Sequence, residues 1–141
     1  MPFLAEATLD IAQPPEAVFD KLADHDGWPA WMPASFAPTG RSLGVLKVGH
    51  RPRVRIAGAP LASPIEISIV DHPTQLAWRG AAGKWLFAEH RFTFEAIRSG
   101  TRVRSSETWD GHLAQLARPA LRRVAERIAL EMLEALSRSL R

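Results

Sequence analysis

At 141 residues, 46% of them apolar and 23% charged, the chain has the make-up of one soluble globular domain, and residues 1–141 are read as that single domain. No apolar run reaches the roughly 18–20 residues of a bilayer span, and MPFLAEATLD lacks a basic head before an apolar block. With no cysteine, a disulfide framework and a thiolate metal site are excluded, and a cytoplasmic location is expected.

The net charge is +3 and the pI about 10.2, but the arginines are scattered rather than gathered into the basic stripe that nucleic acid requires. Arg51, Arg53 and Arg55 alternate along one segment and read as the solvated outer face of a strand.

Taken in order, residues 2–13 alternate Phe3, Ala5, Ala7, Leu9 and Ile11 with Leu4, Glu6, Thr8 and Asp10, the pattern of a half-buried strand. Pro14-Pro15-Glu16 opens a helix running to about Ala23, with Val18, Phe19 and Leu22 on its apolar side. Asp24-His25-Asp26-Gly27 breaks it. Trp28-Pro29-Ala30-Trp31-Met32-Pro33 reads as a second, short helical turn.

Strands are expected near 36–46, 51–57, 64–71, 75–80, 84–97 and 101–111. Turns are placed at Val48-Gly49, 58–63, His72-Pro73-Thr74, 81–83 and Arg98-Ser99-Gly100. Residues 112–141 carry Leu113, Leu116, Ala117, Ala120, Leu121, Val124, Ile128, Met132, Ala135 and Leu136 at three- and four-residue steps. That spacing predicts a long amphipathic helix with Pro119 in its first turn or at a mild kink. The fold class that follows is α+β: a curved antiparallel sheet of about seven strands around a long C-terminal helix, with two short helices between strands 1 and 2.

This pattern resembles the START-like, helix-grip superfamily, also called SRPBCC, and its bacterial polyketide cyclase/dehydrase-like branch. The residues that carry the resemblance are the strand-to-helix opening Ile11–Phe19, the turn Trp28–Pro33, Gly49, Glu89-His90-Arg91-Phe92-Thr93-Phe94-Glu95, Gly100-Thr101-Arg102-Val103 and Glu107-Thr108-Trp109-Asp110-Gly111. The resemblance spans essentially the whole chain and speaks to fold more than to activity. It implies a cavity between the concave sheet and the long helix, open at one end, that holds a hydrophobic or aromatic small molecule.

Period-two bookkeeping puts Leu86, Ala88, His90, Phe92 and Phe94 on one face of 84–97, with Trp85 and Phe87 competing at its start, where a bulge would settle the matter. Val103, Ser105, Glu107 and Trp109 share one face of 101–111. His90 and Glu107 are therefore expected within diagonal reach on the cavity side, as a candidate acid/base couple. Mutual satisfaction of two buried polar groups, without turnover, is the simpler reading of the same pair.

Trp28, Trp31, Trp78 and Trp109, with Phe92, Leu121 and Ile128, are the candidate ligand-binding residues, since rigid aromatic walls suit flat apolar guests. The resemblance sets the Trp28–Trp31 turn at the cavity mouth. The five histidines show no i, i+4 pairing, so no metal site is expected; His25 between Asp24 and Asp26 reads as a helix end. Phosphate-cradling glycine loops, a G-x-S-x-G elbow and H-E-x-x-H are all missing from the sequence, Ser105-Ser106 has no nucleophile context, and no cofactor is implied.

Three functions compete. The first is binding or carriage of a hydrophobic or aromatic small molecule. The second is a cyclase/dehydrase-like enzyme using His90 and Glu107. The third is a protein-interaction module like the superfamily's chaperone activators, suggested by the arginines. The chain is expected to be a monomer or homodimer with a small-molecule ligand, no nucleic acid and no membrane span.

Overall fold

The computed structural model describes residues 3–82 and 84–141. The expected strand start at Pro2 and the Gly83 end of the 81–83 turn lie outside the described residues. β1 (Phe3–Ile11) leads into α1 (Pro15–Ala23), a 3₁₀ turn (His25–Gly27) and α2 (Trp28–Trp31). β2 (Phe36–Thr39), β3 (Arg53–Ile56) and β4 (Ser63–Pro64) follow, then β5 (Glu66–Asp71), β6 (Gln75–Ala82), β7 (Leu86–Ile97) and β8 (Gly100–Asp110). The chain ends in α3 (His112–Leu116) and α4 (Arg118–Ser139).

The strands do not form one sheet of seven. They form a five-stranded antiparallel sheet, order β1-β8-β7-β6-β5, and a separate three-stranded sheet, order β2-β3-β4. The expected strand over 36–46 stops at Thr39, because Gly40 and Gly44 take left-handed backbone angles of φ 78° and 71° that carry the chain out of the ladder. Leu46 then turns back into the core, fully buried. The expected strand over 64–71 splits: Pro64 has no amide to donate, and a bulge falls between Ile67 and Ile69. Residues 49–52 still run beside β5, where Ile67 N donates to His50 O and Gly49 N to Ile67 O.

In the large sheet the pairing is continuous from Ala82↔Leu86 to Gln75↔Thr93, so there is no bulge at the start of β7. Trp85 and Phe87 stay outside, 59% and 45% exposed. Ala5, Glu107, His90, Trp78 and Ile67 pair in sequence across five strands, forming one buried row on the inner face.

The C-terminal helix is broken. Ala117 (φ −106°, ψ 20°) separates α3 from α4, and Pro119 occupies the first turn of α4, where its missing N–H costs nothing. The break resets the apolar face. Leu113 and Leu116 are 46% and 84% exposed and Ala120 is also exposed, while Ala114 is buried. Beyond it, Ile128, Met132, Leu133 and Leu136 are buried in the core, each contributing about 1.5–3 kcal/mol. Gly111 makes the β8-to-α3 corner: its φ is 103°, and a Cβ there would meet Trp85 O at 2.4 Å.

Candidate ligand cavity

A cavity of about 80 Å³ lies between the inner face of the large sheet, the small sheet and α4. Phe36, Ile56, Ile65, Trp78, Gly80, Ala88, His90, Glu107, Trp109, Leu121, Val124 and Ile128 line it. Ile56, Trp109, Leu121 and Val124 are half-buried and mark its rim; Ile65, Trp78 and Ile128 are buried in its wall. A larger concavity of about 540 Å³ opens on the other face of the sheet, between Arg51, Arg79, Glu89 and Asp110. Its charged walls pair locally, Arg79 with Glu66 at 3.1 Å, and it is open to water, so it cannot desolvate an apolar guest.

The polar groups of the cavity come from the β7–β8 hairpin. His90 and Glu107 are direct cross-strand partners, closer than the expected diagonal. Their side chains are 3% and 10% exposed, and His90 Nδ1 lies 2.9 Å from Glu107 Oε1. That approach is close but poorly aligned, and Nδ1 has no hydrogen-bond partner of good geometry. On the other side of the ring, Ser105 Oγ lies 2.5 Å from His90 Nε2. Trp109 Nε1 donates to Glu107 Oε2 at 2.8 Å.

The imidazole also stacks on Phe92 (4.3 Å, 21°) and meets Trp78 edge-on at 5.1 Å. Ring, carboxylate and hydroxyl are thus held by neighbours two residues apart on single strands, which is what alternation on a pleated sheet provides. The Ser105–His90–Glu107 order is that of a proton relay, but Ser105 is fully buried and does not line the cavity. Its hydroxyl positions the histidine and is out of reach as a nucleophile.

Of the expected residues, His90, Glu107, Trp78, Trp109, Leu121 and Ile128 meet at the cavity. Trp28 does not line it. It is fully buried behind Trp78, 5.7 Å away, with its indole N–H donating to Leu22 O at 2.8 Å. Trp31 packs half-buried against the core and does not line it either. Trp28 opens α2 directly after the 3₁₀ turn and is buried there, while Trp31, one turn on, is only half-buried. Phe92 is fully buried beneath His90 and supports the ring without facing the void.

Sequence reasoning missed Phe36, Ile56, Ile65, Gly80, Ala88, Val124 and the role of Ser105. Ser105 shares a strand face with Glu107, a signal that was present; Phe36 and Ile56 come from the small sheet, whose placement no local pattern reveals.

The polyketide cyclase/dehydrase and lipid transport family model matches residues 3–141. The chain belongs to this family. Solved structures agree on the fold. A protein from Mesorhizobium loti is 18% identical over 98% of this chain and 96% of its own, TM-score 0.76. One from Helicobacter pylori is 17% identical over 99% and 88%, TM-score 0.80. Norcoclaurine synthase from Thalictrum flavum, solved with dopamine and hydroxybenzaldehyde, is 11% identical over 99% and 87%, TM-score 0.76. At these identities the likeness concerns the fold alone. A search of curated proteins found no significant match.

Among the described residues, this family member has no helix long and apolar enough to cross a membrane. No group of three His, Asp or Glu side chains is placed to hold a metal ion among those residues either. His25 lies just past the end of α1, at the start of the 3₁₀ turn, and is buried there with Nδ1 accepting from Leu43 N at 3.0 Å.

Proposed function

We propose that this chain binds a small hydrophobic or aromatic molecule between its sheet and α4. The carrying observation is the cavity itself: apolar walls converge on one buried polar cluster, His90 with Glu107. Its volume of about 80 Å³ bounds the guest. An engineered apolar cavity of about 150 Å³ admits benzene, so even a single ring must project past the Leu121–Val124 rim or push it outward. Large polycyclic guests require α4 to move. The matched family and the helix-grip fold support the reading. Its test is gentle purification, solvent extraction and mass spectrometry, followed by thermal-shift screening of lipids, phenolics and polyketides. No released molecule and no stabilisation by any compound rejects it.

The Glu107–His90–Ser105 array favours a second reading, an acid/base enzyme of the cyclase/dehydrase kind. Glu107, which lines the void, exchanges a proton with the guest, and His90, held by Ser105, takes that proton from Glu107 and returns it. His90→Ala and Glu107→Gln then lower turnover by about 10²–10⁴-fold with folding intact. Unchanged rates in both variants dismiss the enzyme and leave the binding reading standing.

A further inference from the structure

The polar lining of the cavity is biased toward accepting. The Trp109 N–H is already spent on Glu107 Oε2. His90 is enclosed by Ser105 on one side and Glu107 on the other. A carboxylate can accept about four hydrogen bonds, and Glu107 uses few of them. The one cavity-lining donor left without a well-aligned partner among the described residues is His90 Nδ1, and it lies 2.9 Å from Glu107 Oε1, facing the carboxylate. A hydroxyl on a guest can therefore donate to Glu107, the acceptor on the lining.

We infer that the guest is a compact ring bearing a hydrogen-bond donor, a hydroxyl or an ammonium, and that carboxylate-bearing guests are rejected. The inference rests on the cavity being the binding site. An anionic guest would place like charge against Glu107 where water is scarce, and like charges brought together in such a site are costly. A bare hydrocarbon fits the walls but leaves the carboxylate unmatched.

Four single-ring probes decide it: phenol, benzylamine, toluene and benzoate. They are titrated at pH 7.5 into the whole protein and into Glu107→Gln, with the indole N–H signals of Trp78 and Trp109 followed by NMR. Phenol and benzylamine are expected to bind the native protein about ten- to a hundredfold tighter than toluene, with benzoate weaker than toluene.

In Glu107→Gln the toluene affinity should hold, which also shows the variant folded. The benzylamine advantage should fall at least about tenfold because the charge-assisted bond is gone, and benzoate should bind. Phenol and toluene binding within twofold of each other, or benzoate binding the native protein as well as phenol does, overturns the inference and leaves the cavity reading intact. Failure of all four probes, toluene included, also overturns the inference of a compact ring, and the cavity reading itself falls only if the screen of lipids, phenolics and polyketides fails as well.

Discussion

Ile128→Ala is the sharpest probe of the void above the sheet. Ile128 is 5% exposed, faces the cavity from α4 and has no polar neighbour to lose. Truncation removes three carbon groups, worth about 2.4 kcal/mol of transfer energy. The opposite wall is a paired sheet that cannot collapse toward the helix, so most of the vacated volume persists. An added void of roughly 60–90 Å³ costs a further ~1.5–2 kcal/mol.

The total, about 4 kcal/mol, should lower the melting temperature by ~15 °C for a domain of this size. The enlarged cavity then approaches the ~150 Å³ that holds a benzene ring, so toluene should stabilise the variant more than the native protein. Urea denaturation with and without saturating toluene measures both effects. Leu116→Ala, on a side chain 84% exposed, serves as the control and should stay within ±0.5 kcal/mol of the native protein. A cost below about 1 kcal/mol for Ile128→Ala, or equal stabilisation of both proteins by toluene, would refute a persistent void at this position.

Gly111→Ala forces a Cβ to within 2.4 Å of Trp85 O at φ 103°, so it should destabilise by about 2 kcal/mol or more and loosen the β8–α3 corner; hydrogen exchange at Leu113, whose amide donates to Trp85 O, would report it. Trp28→Phe strands the buried Leu22 carbonyl and should cost about 1–3 kcal/mol by urea denaturation, with phenol and toluene affinities unchanged because Trp28 lies behind the cavity wall.

Burial holds the His25 pKa below 6.5; His50 adds to the lowering, while Asp26 and Asp24 oppose it. A lowered histidine binds fewer protons folded than unfolded, so its stabilisation is full above pH 6.5 and declines as pH falls through that value toward the folded pKa. Urea midpoints from pH 7.5 to 5 should show that slope, and His25→Asn, which keeps an acceptor for Leu43 N–H, should flatten it. Equal slopes in both proteins would reject the assignment to His25.

Much of the scaffold was legible because it is local. Helix α1 announces itself by Pro15 and Glu16 in its first turn and ends within the residues expected. The β7–β8 hairpin is marked by strict alternation on both sides of Gly100, whose left-handed φ of 144° leaves no room for a side chain beside Ile11 O. The chain between Thr39 and Arg53 was not legible. Its residues look like strand, yet Gly40, Gly44 and Gly49 all take positive φ, and whether a glycine uses that freedom depends on what surrounds it. The tryptophans misled for a related reason: an indole suits a core or a cavity wall equally well, and Trp28 went to the core while Trp109 went to the rim.

Side-chain direction along a strand alternates residue by residue whatever the rest of the molecule does. His90 was therefore bound to the face of Phe92 and Phe94, and Glu107 to the face of Ser105 and Trp109, while the register of the hairpin decided that the two faces coincide. How deep they lie, that they pair directly, that Ser105 closes the other side of the ring and that the hollow holds only about 80 Å³ were decided by the tertiary structure. Those quantities depend on how the second sheet closes over the first and how the helix break at Ala117 seats α4 against it. Both are set by contacts between residues far apart in the chain, which periodicity does not encode.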